Sequence, residues 1–203
     1  SLGYPALNGI MGLEHGFLSE ILVEQGYNTF AIGKWHLTPS HETTPAGPFT
    51  RWPLGRGFER FYGFMGGDTD QFHPDLVEDN HWVPQPAQPA DGYHLNADLA
   101  DHAIDLIRGA HAAAPDKPFF LWYATGAGHA PHQVEPEWIE PYRGRFDAGW
   151  DAYRQEVFDR QAALGLHAPG TRLPDRDPDV AAWDALSDDA KRMYARQMEV
   201  YAG

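Results

Sequence analysis

The chain has 203 residues, of which 42% are hydrophobic, and a single domain of this length can bury a sizeable core. Its 15 basic and 29 acidic side chains give a formal net charge of −14, which argues against nucleic acid or an anionic membrane surface as the main partner. The absence of cysteine excludes disulfides and thiolate metal sites and fits a cytoplasmic setting, and no apolar run approaches the ~20 residues that cross a bilayer.

The first predicted elements are an amphipathic helix and a buried strand. Apolar residues at helical spacing predict a helix over residues 13–25. Its predicted core face consists of Phe17, Leu18, Ile21 and Leu22. Gly26 stands where a helix C-terminal glycine is expected, and residues 29–33 then form the strand. The strand leads directly into the sequence GKWHL, so that a lysine and a histidine follow its carboxyl end.

Residues 38–95 are rich in proline, glycine, histidine and aromatic side chains and show no sustained periodicity. They supply too much apolar surface to be disordered, so we predict a long structured loop that builds or covers a site. Within it, the glycine-rich segment GGDTDQFH places Asp68 and Asp70 where they could line a substrate entrance or cap their own loop. The segment lacks the glycine and glutamate of an EF-hand calcium loop.

A second helix and a second strand follow. The helix is predicted from Asn96, or just before it, to about His111. Its inward residues are expected to be Leu99, Ala103, Leu106 and Ile107. The apolar run PFFLWYA at residues 118–124 then predicts a buried strand, which leads into GAGHAPH. Two helix–loop–strand steps predict an α/β fold with a mixed, mostly parallel sheet flanked by helices.

The last third of the chain is predicted to be helical. Residues 135–142 and 147–164 have helical composition and are separated by Gly144, and residues 169–178 form an irregular segment rich in proline and aspartate. Ser187 then caps a final helix that ends near Tyr201.

The two strands predict a cationic pocket. Ligands of open α/β sheets bind at the carboxyl ends of the strands. Lys34 and His36 follow the first strand, and His129 and His132 follow the second. These side chains suit a tetrahedral anion such as sulfate or phosphate, because lysine carries a fixed charge and histidine exchanges a proton near neutral pH.

Four segments resemble the sulfatase family, in particular the bacterial arylsulfatases of the alkaline phosphatase superfamily. They occur in the family's order and cover nearly the whole chain. The segments are YNTFAIGKWHL at 27–37, LGRGFERFYGF at 54–64, residues 118–132 with their H-x-P-H element, and DAGWDAYR at 147–154. The resemblance implies a large α/β domain with a mixed sheet, and hydrolysis of small-molecule sulfate monoesters.

The resemblance also implies catalytic parts that this sequence does not contain. The family's nucleophile is a formylglycine made from the Cys or Ser of a C/S-x-P-x-R motif, and a Ca²⁺ ion is held by paired aspartates and a downstream Asp-Asn pair. Residues 1–203 contain no such motif and no match to those metal ligands. We therefore expect residues 1–203 to be an internal fragment of one catalytic domain, inactive by itself, with no metal ligand of its own.

The resemblance assigns catalytic roles by position. Lys34 and His36 match the family's first pocket lysine and histidine, and His129 matches the histidine that approaches the substrate sulfate. His132, Asp68 and Asp70 are expected at the substrate entrance. Gly128 stands where relatives usually have proline, which predicts a looser loop around His129.

Two other functions fit the same residues. A phosphodiesterase or phosphonate monoester hydrolase of the superfamily would use a similar pocket, since phosphate and sulfate are both tetrahedral anions. A degenerate sulfatase domain would bind sulfate esters without turnover. An intact set of Lys34, His36 and His129 favours an enzyme over the binding domain.

Overall fold

A computed structural model describes residues 10–203 of the chain. The chain divides into two compact units, one ending at Gln133 and the other comprising Val134–Gly203. The helices are α1 Leu18–Glu24, α2 Leu95–Ala113, α3 Pro136–Ile139, α4 Gly149–Ala163 and α5 Asp188–Ala202. The strands are β1 Asn28–Lys34, β2 Arg60–Phe64, β3 Leu76–Glu78, β4 His81–Val83 and β5 Phe119–Ala124. None of the helices within residues 10–203 is both long and apolar enough to span a membrane.

The five strands form one mixed sheet in the order β4-β3-β2-β1-β5. Strand β1 pairs in parallel with both β2 and β5, whereas the β2–β3 and β3–β4 pairings are antiparallel. The predicted α/β class with a mixed sheet is confirmed. The parallel part is confined to the three strands that position the candidate site, and β2, β3 and β4 all lie within the segment that was predicted to be a long loop. Strands β3 and β4 are only three residues long, which is too short for an alternating pattern to be visible in the sequence.

The two faces of β1 pack into two separate clusters because successive side chains of a strand point to opposite faces. On one face, Ala31 and Trp35 pack with Trp52 and Phe58 from the turns between β1 and β2. On the other face, Ile32 packs with Leu99 and other residues of α2. Both faces of β1 are therefore covered, and the strand that carries the candidate lysine is the centre of the core.

Helix α2 matches its prediction closely and is tied to the sheet by a buried polar contact. Leu99 and Ala103 are buried as expected, and the His94 ring accepts the N–H of Asn96 at the helix start. The Tyr62 hydroxyl of β2 donates to the Asp98 carboxylate at 2.6 Å. Burial, followed by this hydrogen bond, raises the pKa of Tyr62 above its usual range. The phenol therefore stays a donor to Asp98 at any ordinary pH.

Two predictions of burial were wrong. Helix α1 begins at Leu18 rather than near residue 13, and Leu18 is 56% exposed while Ser19 is buried. The predicted C-terminal glycine, Gly26, does have a left-handed backbone. Strand β5 forms as predicted, but it lies at the edge of the sheet, and Trp122 is 50% exposed. An apolar run shows that a strand suits burial on both faces, and residues 10–203 leave much of β5 uncovered.

The second unit is helical, as predicted. Gly144 separates α3 and its continuing turn from α4, and residues 164–182 are irregular. The Ser187 hydroxyl accepts the N–H of Ala190 at the start of α5. Buried Trp183 packs edge-on against the ring of Trp150, with ring centres 4.8 Å apart.

Candidate functional site

The carboxyl ends of β1, β2 and β5 meet at one edge of the sheet. Gly33 is opposite Gly63 of β2 and Ala124 of β5 in the two parallel registers. Beyond these pairs, the chain continues into the segments that hold the candidate residues. The register therefore explains why segments far apart in sequence approach the same edge, as expected for ligand sites of open parallel sheets.

Lys34 is the last residue of β1 and lines an open, largely apolar cavity of about 330 Å³. The cavity is lined by Phe17, Leu18, Ser19, Trp35, Leu37, Phe58, Phe120, Trp122 and Ala124 as well as Lys34. No acidic side chain within residues 10–203 forms an ion pair with the Lys34 ammonium. Lys34 is half-buried, and a cation with no counter-ion among the described residues is suited to an incoming anion, because apolar surroundings strengthen its field.

His36 lies one residue beyond buried Trp35 and is held by backbone geometry. Its N–H donates to the carbonyl of Met65 at 3.2 Å, which extends the β1–β2 ladder past the strand ends. The residue has a left-handed backbone, with φ at +53°. Its ring lies against Gly67, where an added Cβ would be 2.7 Å from Cε1 of His36. The segment after β2 therefore forms one wall of the His36 position.

His129 lies in an exposed loop that follows β5. Its N–H donates to the carbonyl of Gly126 at 3.2 Å, and Gly126 is buried beside Phe64 and Gln71. The Nδ1 atom of His129 is 2.6 Å from the carbonyl oxygen of Ala130. This contact requires a proton on Nδ1 and leaves Nε2 as the ring nitrogen that is available to another partner.

Gly128 precedes His129 in this loop and has a left-handed backbone. Gly128 has φ at +90°, which the ring of a proline, with φ fixed near about −65°, cannot adopt. This loop therefore follows a different path from one with proline at that position. His132 is exposed in the same loop.

Asp70 is engaged on both carboxylate oxygens by the protein itself. Its Oδ1 accepts the backbone N–H groups of Phe72 and His73, each at 2.8 Å. Its Oδ2 accepts the side-chain amide of Gln133 at 2.8 Å. The Gln133 amide, with these backbone donors, holds the pKa of the Asp70 carboxyl below its ordinary value. Asp68, by contrast, is exposed in its loop, and its carboxylate accepts no hydrogen bond within residues 10–203.

Gln133 was not predicted to matter. It directly follows His132, and its side chain bonds both Asp70 and the backbone N–H of Gln71, the latter at 2.9 Å. Its own carbonyl oxygen is 3.1 Å from Nε2 of His94. The sequence contains no signal for this role. The partners of Gln133 lie 62 and 63 positions earlier, so no local pattern distinguishes it from an ordinary surface glutamine.

The structure brings the candidate residues to one edge of the sheet without joining their side chains. Within residues 10–203, no hydrogen bond or ion pair links Lys34, His36 and His129 to one another. The described residues also contain no group of three His, Cys, Asp or Glu side chains that could hold a metal ion. The described residues therefore place a lysine and two histidines at one edge of the sheet, with no such cluster of metal-binding side chains among them.

Comparison with known proteins gives consistent results. The family model described as Sulfatase matches residues 4–203. The chain is 32% identical over 195 residues to the arylsulfatase of Klebsiella aerogenes, covering 91% of this chain and 39% of that protein. It is 30% identical over 218 residues to an uncharacterized sulfatase of Schizosaccharomyces pombe, covering 98% of this chain and 37% of that protein. The chain thus spans less than two fifths of these relatives.

A solved structure shares the fold. The crystal structure of Ps i-CgsB in complex with k-i-k-neocarrahexaose has a TM-score of 0.55 and 25% sequence identity to this chain. The match covers 67% of this chain and 32% of that one. As with the sequence relatives, the matched region is a part of a longer protein.

Proposed function

The chain belongs to the sulfatase family, and from this premise we propose that the protein containing it hydrolyses small-molecule sulfate monoesters by means of a formylglycine nucleophile outside residues 1–203. One observation supports this most directly. The strands that precede the GKWH and GHAPH segments are parallel neighbours in register at Gly33 and Ala124, so both segments leave the sheet at one edge.

Lys34 is proposed to stabilise the sulfuryl group in the transition state. As the S–O bond of a sulfate monoester breaks, negative charge accumulates on the bridging oxygen. The Lys34 ammonium has three donors and no counter-ion among the described residues, in a cavity with apolar walls. It can bind a nonbridging oxygen and the leaving oxygen without first breaking an internal ion pair.

The two histidines are proposed to move protons on opposite sides of the reaction. His36 lies close to the lysine in sequence and would orient or deprotonate the nucleophile. His129 has its Nδ1 engaged by the Ala130 carbonyl, so a protonated ring would donate from Nε2 to the leaving oxygen. His132 and Asp68 are proposed to line the entrance.

Hydrolysis by this route needs groups that residues 1–203 do not supply. A formylglycine hydrate, formed in a C/S-x-P-x-R motif, would supply the oxygen that attacks sulfur, and residues 1–203 contain no such motif. A calcium ion is proposed only for parts of the protein beyond this chain, because residues 10–203 do not fit a metal site. We accordingly propose that residues 1–203 alone are inactive.

The test uses the full-length protein and two substrates. We expect turnover of 4-nitrophenyl sulfate, and a C/S-x-P-x-R motif encoded upstream of Ser1. A preference of about tenfold or more for a phenylphosphonate ester, ~1.4 kcal/mol, would assign the protein to the phosphonate hydrolases instead. Sulfate-ester binding without turnover, together with a replaced motif cysteine or serine, would assign it to the degenerate domains.

Gly67→Ala is expected to lower kcat on 4-nitrophenyl sulfate by about tenfold or more, because misplacing a reacting group by ~1 Å costs up to ~10²-fold. The new Cβ would be 2.7 Å from Cε1 of His36, and the ring would have to leave its position. Gly66→Ala is the matched control, since its Cβ meets only the backbone of Asp68, with the carbonyl oxygen at 3.1 Å. Equal rates for the two variants would remove His36 from the reacting centre.

A further inference from the structure

The loop that carries His129 is fastened at both ends to the same short segment. At its start, Gly126 packs against the side chain of Gln71. At its end, Gln133 bonds the backbone of Gln71 and the carboxylate of Asp70. The residues between these anchors, 127–132, are all exposed. The two anchors therefore help to set the position of His129.

Asp70 and Gln133 form a fully paired arrangement, which we call the clasp. The Gln133 amide oxygen accepts from Gln71 and its amide nitrogen donates to Oδ2 of Asp70. Oδ1 of Asp70 meanwhile accepts two backbone N–H groups of its own loop. Charge-assisted hydrogen bonds of this kind are stronger than neutral ones. The backbone carbonyl of Gln133 is also held, by the ring of His94.

We propose that Asp70 and Gln133 are positioning residues that fix the loop bearing His129, and that Asp70 acts through Gln133 rather than on the substrate. This inference rests on the proposed function, since it assigns the pair an effect on the step that His129 serves. It replaces the expectation that Asp70 contacts the substrate. A carboxylate whose oxygens hold two loops together is a poor contact for an anionic sulfate ester, which it would repel.

The hydrogen-bond pattern predicts which single substitutions break the clasp. Asp70→Asn places an amide donor opposite the Gln133 amide donor, or, if the amide flips, opposite the N–H groups of Phe72 and His73. Gln133→Glu places a carboxylate against the Asp70 carboxylate. Either change removes a bond and leaves two like groups facing each other.

The double variant, Asp70→Asn with Gln133→Glu, restores the clasp. The new amide nitrogen at position 70 donates to one oxygen of the new carboxylate at position 133, and the other oxygen of that carboxylate accepts the N–H of Gln71. The amide oxygen at position 70 still accepts from its own loop. Every hydrogen bond is therefore kept, and only the bond between the side chains at positions 70 and 133 has its donor and acceptor exchanged. The net charge is unchanged. A mutual rescue of this kind is not expected if Asp70 contacts the substrate.

The readout is the dependence of kcat on the leaving group in the full-length protein. Phenyl sulfate needs protonation of its leaving oxygen more than 4-nitrophenyl sulfate does. In each single variant, kcat is expected to fall about tenfold or more on phenyl sulfate and by a smaller factor on 4-nitrophenyl sulfate. In the double variant, kcat on both substrates is expected to return to within about threefold of wild type. The matched control is Gln155→Glu, where an exposed glutamine amide donates to Asp159 at 2.9 Å on α4. It should leave both rates unchanged.

Backbone hydrogen exchange over residues 125–135 separates this inference from the proposed function. The single variants should exchange faster there and the double variant at the wild-type rate, whether or not any sulfate ester is hydrolysed. If the single variants exchanged at the wild-type rate or more slowly over residues 125–135, the clasp would be overturned. Equal losses on the two substrates without rescue would overturn the role of Asp70 as a positioning residue. An inactive wild type that shows the expected exchange pattern would overturn the proposed function while leaving the clasp in place.

Discussion

Lys34→Ala in the full-length enzyme is expected to lower kcat/KM on 4-nitrophenyl sulfate by about 10²–10³-fold, or ~3–4 kcal/mol of transition-state stabilisation. Lys34 is half-buried at the end of β1, and its ammonium has no acidic partner among residues 10–203. In the proposed mechanism, removal of the ammonium takes away a fixed positive charge that stabilises the leaving oxygen. Because negative charge on the leaving oxygen develops as the S–O bond breaks, kcat should fall together with kcat/KM.

Two further lysine variants separate charge from packing. Lys34→Met keeps the apolar stem in the cavity and deletes only the ammonium. Its kcat/KM on 4-nitrophenyl sulfate should therefore fall as far as that of Lys34→Ala. Lys117→Ala is the surface control, because the Lys117 ammonium lies 4.0 Å from the Glu59 carboxylate in an exposed pair worth about 0–1 kcal/mol. A loss of less than about threefold for Lys34→Met would place Lys34 outside the site.

The sequence predicted the parts of the fold that local pattern controls. Strand β1 and helix α2 were predicted close to their observed bounds because β1 is a short apolar run and α2 has a clear helical period. The cap at Ser187 was predicted for a similarly local reason. The short strands β3 and β4 could not be predicted, since a three-residue strand carries too few alternations.

Burial and the candidate site depend on contacts far apart in sequence. The composition of β5 suits a strand covered on both faces, yet Trp122 is half exposed at the sheet edge. The segments bearing Lys34 and His129 were predicted to meet because parallel strands end at one edge, and the register of β1 and β5 has this geometry. Gln133 was missed because its role exists only when residues 70 and 71 come beside it.

The glycine that opens the GKWH segment shows how the sheet constrains the site. Gly33 has φ at +101°, and an added Cβ would be 2.0 Å from the carbonyl oxygen of Ala124 on β5. Its own carbonyl oxygen would be 2.0 Å from a Cβ on Gly63 of β2. Three strands therefore approach so closely at this level that a methyl group cannot be accommodated on either glycine. The lysine that follows owes its position to that close approach.

Gly33→Ala is accordingly expected to destabilise the chain by at least about 3 kcal/mol, from two costs. Left-handed backbone costs an alanine about 1–2 kcal/mol, and separation of β1 from β5 removes ladder hydrogen bonds worth ~1 kcal/mol each. The same change at Gly109 should act in the opposite direction. Gly109 is exposed in the interior of α2 with nothing within 4 Å of its added Cβ, so alanine there should stabilise by about 0.5–1 kcal/mol.

The opposite signs make the comparison decisive when both changes are measured by urea unfolding of the same protein. Gly33→Ala should be made in the Gly109→Ala background, so that the added stability keeps the folded state measurable. If the double variant is unfolded, far-UV circular dichroism will show the loss of secondary structure directly. A decrease of less than about 1 kcal/mol in the free energy of unfolding would mean that β1 and β5 separate at little cost. In that case the close packing of the strands would not be what holds Lys34 and the His129 loop at one edge.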